Sequence, residues 1–263
     1  MGVVERDQTA AEGTVSKALH VLDLVAEMKR PVRFNDVLDV SPYPKATLYR
    51  LLQTLTQQGM LSYHDTHQTY APGIRLVRLA HDAWSQSSLA PLARPHIESL
   101  AEATGEAIHL TQIDNGQVIF VDKLRVTDRF ETLAQVGMVA PAYCTGVGKA
   151  MLAFMAPARL DIALRQQSYF AFTPTTHTDR ASLMAELETI RTDRFAYDRE
   201  EHEVGIISLA TPILSTQGRI IGAVSVATST TRYDLAGLDQ FKNVLLDTAE
   251  KVGRDATPWQ FPG

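Results

Sequence analysis

Residues 41–59, SPYPKATLYRLLQTLTQQG, constrain the fold more than any other stretch of the chain. Leu48, Leu51, Leu52 and Leu55 recur at i, i+3, i+4 and i+7, which is one face of an α-helix. Pro44 suits the first turn, where a missing N–H loses no partner, and Gly59 supplies a stop. A helix this short is marginal alone, so its leucine stripe needs partners. Two upstream segments provide them. SKALHVLDLVAEM spaces Leu19, Leu22 and Val25, and also Val21, Leu24 and Met28, at helical intervals until Arg30-Pro31 stops it. Residues 34–40 read as a short amphipathic helix carrying Val37 and Leu38, with Asn35 as its cap.

Helix, short helix, tight turn and longer helix is the order of a helix-turn-helix. Residues 60–63 and 68–71, joined through Asp65-Thr66-His67, read as a hairpin, the wing of a winged variant. With the leucines inward, Lys45, Ala46, Tyr49, Arg50, Gln53 and Gln57 face outward. Lys45, Thr47, Tyr49 and Arg50 donate to phosphates or base edges, and the helix start adds free N–H groups. Any one of these residues alone fits an ordinary solvated face. The ordered set, with His64 and His67 in the wing as solvent or phosphate contacts, points to double-stranded DNA. Charge is a weak guide here. The chain totals −5, while residues 14–75 carry seven basic and five acidic residues, +2, so the reading rests on pattern.

The chain has 263 residues, 45% hydrophobic and 21% charged, enough for two packed cores. The expected division is a disordered lead-in at 1–13, a winged helix-turn-helix at 14–72, a linker helix at 73–88 and a ligand-binding domain at 89–256. The lead-in has no apolar run and does not read as a signal peptide. No stretch approaches the roughly 18 apolar residues of a membrane span. A single cysteine, Cys144, suits a reducing cytoplasm. In the linker, Ile74, Val77, His81 and Trp84 form one stripe and Leu76, Leu79, Ala80 and Ala83 another. Two stripes suit either a partner helix, making a homo-oligomer, or packing on the chain's own domains. The polar run 85–88 closes the linker as a hinge.

Beyond Leu89 helices are expected near 91–104, 146–165, 180–194 and 234–253. Strands are expected at 107–113, 116–124, 129–136, 206–214 and 219–228. Asn115-Gly116 is a hairpin turn signal. Sequential hairpins flanked by helices imply an α+β domain with an antiparallel sheet. Three readings compete for Thr145-Gly146-Val147-Gly148-Lys149. A nucleotide-binding P-loop fails, because Tyr143 stands at the required glycine and Ala150 at the required hydroxyl, so no cofactor is expected. A structural turn and an anion site at a helix start both fit, and spacing alone leaves both open. On the last strand Ile221, Ala223, Ser225 and Ala227 share one face. Cys144 paired with His109, His177 or His202 lacks a local catalytic signature. A metal site built from His177, His202 and nearby acids lacks recognisable ligand spacing.

The recognition helix, with Lys45, Thr47, Arg50, Leu51, Leu52 and Leu55, resembles that of IclR-type transcriptional regulators. The likeness continues through LARPHIESLAEATGEAIHL, VIFVDKL, VGMVAPAYCTGVGKAMLAF, TPTTHTDRASLMAELETIR, FAYDREEHEVGIISLATPIL and GRIIGAVSV. Four positions depart from the family pattern: Pro42 for glycine in the turn, Ala46 for serine, Ser208 for a frequent cysteine and Ala227 for serine. The resemblance implies a GAF-like α/β domain that binds an effector, dimers or dimers of dimers, and an inverted-repeat operator. It places Lys45, Ala46, Thr47, Tyr49, Arg50 and His67 at DNA. It places Gly146, Val147, Asp198, Ser208 and Ser225 in the effector pocket. The pocket chemistry, helix N–H groups beside hydroxyls and one carboxylate, suits a small organic acid bearing a hydroxyl and a single charge. Inward-pointing Lys123 or Arg129 would admit more negative charge. The alternative is an enzyme built on Cys144 or Asp198, with the N-terminal helices as an oligomerisation module.

Overall fold

A computed structural model describes residues 13–125 and 132–256. Apart from Gly13, the expected lead-in lies outside the described residues, as do Arg129 and the first part of the expected strand 129–136. The chain divides into two compact units between Ala83 and Trp84.

The first unit runs α1 (Thr14–Glu27), β1 (Val32–Arg33), α2 (Phe34–Val40), α3 (Lys45–Gln57), β2 (Leu61–His64) and β3 (Thr69–Pro72). Helix α4 (Ile74–Ser87) follows and crosses the division. The leucine stripe of α3 is buried against Val21, Leu22 and Val25 of α1, Val37 of α2, and Leu61 and Tyr70 of the wing. Burying a leucine such as Leu52 fully stabilises the unit by about 1.5–3 kcal/mol. Pro44 is the cap of α3 rather than its first residue, and its carbonyl accepts the Leu48 N–H at 3.0 Å. Gly59, at φ 70°, closes the helix. Its N–H donates to Thr56 O and the Met60 N–H to Leu55 O, each at 2.9 Å, which satisfies two carbonyls the helix leaves open.

Three further corrections apply. Asn35 does not cap α2: Arg33 holds that position, and its N–H donates to the Asp36 carboxylate at 3.0 Å, while the helix keeps its expected bounds. The wing is three-stranded, because β1 adds to β3 in the order β1-β3-β2. The second end of the wing meets the end of α3 closely. A Cβ on Gly73 would lie 2.2 Å from the Gly59 carbonyl oxygen, so only glycine fits there. Helix α4 runs on through Ser87, so the polar run 85–88 is largely helical rather than a break.

The second unit contains α5 (Ala90–Thr104), β4 (Ala107–Asp114), β5 (Gln117–Leu124), β6 (Val139–Pro141), α6 (Gly146–Ala153), α7 (Pro157–Arg165) and α8 (Arg180–Asp193). It continues with β7 (Ala196–Arg199), β8 (Ile206–Leu214), β9 (Ile220–Ser229), a 3-10 turn (Gly237–Phe241) and α9 (Lys242–Asp255). The six strands pair antiparallel in the order β6-β5-β4-β9-β8-β7. At the β4–β5 hairpin Asn115 and Gly116 both take positive φ, 46° and 75°, as a primed turn demands. Helices α5 and α9 cover one face through Ile97, Leu100, Leu245 and Val252, packed on Ile108, Leu209, Val224 and Val226. Helices α6, α7 and α8 cover the other through Met151, Leu160, Leu164, Leu183 and Leu187, packed on Val118, Ala210 and Ala223.

Four expectations for this unit change. The helix expected at 146–165 is two, parted before Pro157, which cannot donate into a continuing helix. The helix expected at 234–253 opens as the 3-10 turn and becomes α-helical at Lys242. Residues 132–136 form no strand; β6 takes the sheet edge at 139–141, and β7 at the opposite edge is an additional strand. Ile221 leaves the face of Ala223 and Ser225. Leu214 pairs with Ile220 and Ile213 with Gly222, so Ile221 is the extra residue of a bulge and turns into the α5–α9 core.

Candidate functional site

Two places carry the residues that the sequence marks. On α3, Lys45, Ala46 and Arg50 are exposed and Thr47 is partly so, as the inward leucines require. Tyr49 is 50% exposed. Its hydroxyl accepts from Gln53 Nε2 at 2.7 Å, and its ring stands edge-on to Phe34 at 6.1 Å. These contacts hold the phenol in place along the helix face. In the wing, His67 is exposed and lies against His64, ring centres 4.7 Å apart.

The second place is a cavity in the C-terminal unit, partly open to solvent, on the sheet face that α6 covers. Strand register assembles it. Asp198 on β7 sits opposite Ser208 on β8, Ser208 opposite Ala227 on β9, and Ser225 opposite His109 on β4. All four polar side chains of that set are more than nine-tenths buried, and all line the cavity together with Gly146 and Val147. The five residues of the expected pocket thus meet in one cavity. Helix α6 enters with its N-terminus at the cavity wall. Thr145 caps it, accepting from the Gly148 N–H at 3.3 Å and donating to Pro141 O at 3.0 Å. Gly146 leaves no room for a side chain, since a Cβ there would lie 2.8 Å from Ser208 Oγ. The N–H groups of Gly146 and Val147 belong to the first turn, where the helix itself supplies no acceptor.

Sequence reasoning missed His109, Thr132, His202 and Glu203 as cavity residues. Glu203 accepts the Leu133 N–H at 3.1 Å, and Thr132 Oγ1 lies 3.3 Å from His109 Nε2, so both fasten residues 132–134 over the cavity. The positions of His109 and Ser225 on facing strands offered a signal, had β4 and β9 been paired. The rest of the lining is apolar, including Phe120, Met138, Val139 and Ile206. Lys123 does not join the lining. Its ammonium donates to Thr132 Oγ1 at 3.1 Å and Ala134 O at 2.5 Å.

Burial sets the protonation of the cavity. It pushes the Asp198 carboxyl up to about 7, with the nearby Glu201 charge adding to the rise. Burial, aided by Lys123, pushes His109 down to about 3, and burial lowers His202 as well. Among the described residues the lining therefore holds two carboxyls, two uncharged imidazoles and no lysine or arginine. One oxygen of Asp198 already accepts the Glu201 N–H at 2.9 Å.

Cys144 is fully buried in the α6–α8 core, outside the cavity lining, and burial raises its thiol well above the usual range. A neutral, enclosed thiol is no nucleophile. Lys149, the last residue of the glycine loop motif, turns away from the cavity. It is fully buried and pairs with Glu186 at 2.9 Å and with Glu201. Burial raises the Glu186 carboxyl, but His177, Lys149 and Arg199 outweigh it and hold the group below the usual carboxylate range.

Residues 81–254 match the family described as the bacterial transcriptional regulator IclR C-terminal domain, and residues 14–65 match the IclR helix-turn-helix domain. The chain is 29% identical over 241 residues to the HTH-type transcriptional regulator XynR of Escherichia coli (strain K12), covering 92% of this chain and 96% of that one. It superposes on the Thermotoga maritima IclR crystal structure with a TM-score of 0.75 at 25% identity, covering 93% and 98% of the two chains. An IclR homologue from Microbacterium hydrocarbonoxydans, solved with 4-hydroxybenzoate, has the same fold, with a TM-score of 0.79 at 20% identity over 92% and 98%.

Proposed function

Since the chain belongs to the IclR family of bacterial transcriptional regulators, we propose that it reads an inverted-repeat operator and answers to a small organic acid of a catabolic pathway. DNA-binding transcription regulation is the work of the family, and the chain is not an enzyme, which sets aside the Cys144 or Asp198 chemistry considered from sequence. Lys45, Ala46, Thr47, Tyr49, Arg50 and His67 are the residues offered to DNA. Two protomers meet through the exposed side of α4, where Ile74 is 81% and Val77 63% exposed, and form a homodimer or a dimer of dimers. No helix among the described residues is long and apolar enough to cross a membrane, and a cytoplasmic location suits a DNA-binding chain.

The observation that carries the acid reading is the start of α6 at the cavity wall. Its Gly146 and Val147 N–H groups and positive dipole end favour a carboxylate. Ser208, Ser225 and Asp198 supply partners for a hydroxyl. Asp198 and Glu203, with no lysine or arginine beside them among the described lining residues, favour one negative charge over two. The 4-hydroxybenzoate held by the Microbacterium homologue is a molecule of this kind, a single carboxylate with a hydroxyl. Binding shifts the relative placement of two helix-turn-helix units on DNA. The test is a thermal-shift screen of hydroxy acids, sugar acids, aromatic acids, amines and neutral sugars. Hits are then added to a mobility-shift assay on the DNA upstream of the gene. Stabilisation by neutral or cationic compounds alone would sink the acid reading, and no shift of that DNA would sink the operator assignment.

A further inference from the structure

Behind the cavity wall, His177 in the loop before α8, Glu186 on α8 and Glu201 after β7 converge. Their ligand atoms all lie within 4.8 Å of one another. Each carboxylate gives one oxygen to Lys149, and Arg199 reaches the same oxygen of Glu186 at 2.6 Å. The second oxygen of each turns toward His177 Nε2. Glu186 Oε2 is 2.5 Å from it and Glu201 Oε2 4.0 Å. Glu201 is buried, and its Oε2 accepts no hydrogen bond, an arrangement that native structures seldom leave uncompensated.

His177 is engaged through its other nitrogen as well. Nδ1 lies 3.1 Å from Ser182 Oγ, and that hydroxyl spends its one proton on Asp179 O at 3.1 Å. With Nδ1 engaged by Ser182, Nε2 faces two carboxylate oxygens. A proton on Nε2 serves Glu186 and leaves Glu201 Oε2 without a partner. A metal ion would serve all three once His177 Nε2 and Glu186 Oε2 part from their 2.5 Å contact to admit it. The Nδ1–Ser182 bond is the kind of outer contact that orients a metal-bound imidazole. We infer that His177, Glu186 and Glu201 form a binding site for one divalent transition-metal ion of the zinc class, with water at the remaining position. Imidazole favours zinc over magnesium or calcium. Lys149 and Arg199 already balance the two carboxylates, so the ion brings uncompensated charge and binds with moderate affinity. Once bound it ties the loop before α8 to the 199–203 turn, whose His202 and Glu203 line the cavity.

The test is titration calorimetry of the full chain, freed of metal with a chelator, against zinc chloride and, separately, magnesium chloride. We expect one zinc ion per chain, a raised melting temperature and no magnesium binding. Affinity should fall at least about tenfold in His177→Gln and in Glu201→Gln, and stay unchanged in the wing variant His64→Gln/His67→Gln. Should Glu201→Gln fail to fold for loss of its lysine pair, His177→Gln decides alone, because it leaves Lys149 its partners. Absence of zinc binding, or binding that survives His177→Gln, overturns the site and leaves His177 Nε2 as a hydrogen-bond partner of Glu186 alone. Loss of binding in the wing variant overturns it too, by placing the ion at His64 and His67.

Discussion

On α3 the exposed residues proposed to meet DNA stand outside the core that holds them, whereas in the C-terminal unit the polar strand residues that line the cavity are themselves buried in the domain. Arg50 and Lys45 are what remains exposed once Leu48, Leu51, Leu52 and Leu55 have turned inward. Their placement needs only the helical repeat. Asp198, Ser208, Ser225 and His109 come together only when four strands pair in one register, and all are buried. An outward face can therefore change its chemistry without touching the fold. An inward one cannot, since each of its polar side chains is buried within the sheet layer that packs the domain.

Four measurements press on this contrast, from the largest effect down. Leu52→Ala removes a fully buried side chain and should cost about 2–5 kcal/mol. The first unit should melt early and operator binding disappear, while ligand-induced stabilisation of the second unit survives. Loss of both functions together would mean that the units do not fold independently. Next, a ligand at a hundredfold excess over its Kd stabilises the parent protein by roughly 2.7 kcal/mol. Ser225→Val fills the cavity with methyl groups and should abolish that gain in a thermal-shift experiment, with DNA affinity in the absence of ligand unchanged. If Ser225→Val keeps the gain, the ligand sits elsewhere.

Arg50→Ala should weaken operator binding by about 1–3 kcal/mol across a salt titration, with the melting temperature unmoved. Normal binding would remove Arg50 from the DNA face. The smallest effect concerns pH. Because His109 sits at about 3 in the folded chain against an ordinary value of 6.5, the unfolded chain takes up its proton first as pH falls. The stability tied to the neutral imidazole is present above 6.5 and drains away toward 3, on the order of 1–2 kcal/mol by pH 5. His109→Gln should flatten the fall in melting temperature between pH 7 and 5; an unaltered slope would assign the fall to other groups.

How far the sequence discloses this molecule depends on the range of the interaction. The helices of the first unit and the β4–β5 hairpin rest on leucine spacing, Pro44, Gly59 and Asn115-Gly116, all local signals. The break between α6 and α7 was marked by Pro157, yet the apolar residues on either side outweigh it in the periodicity. Strands β1, β6 and β7 are too short to show an alternation, and pairing with a longer neighbour defines them. In the cavity, family likeness indicates Gly146, Val147, Asp198, Ser208 and Ser225, while His109, His202 and Glu203 emerge only from strand register and loop closure. Lys149 shows the limit most clearly. Its place in a glycine loop suggests anion binding, but distant Glu186 and Glu201 claim the ammonium, and no spacing announces them.

The joint between α3 and α4 has a mechanical consequence. Gly73 donates to Met60 O at 2.9 Å, the Arg75 N–H reaches Gly59 O at 3.3 Å, and the Arg75 guanidinium reaches Gln58 O at 2.8 Å. With Gly73 already packed onto the Gly59 carbonyl, the seam has no slack. The first turn of α4 is thus fastened by backbone and side-chain hydrogen bonds to the last turn of α3. A change in the start of α4 therefore reaches the helix whose exposed face is proposed to meet DNA through contacts already in place.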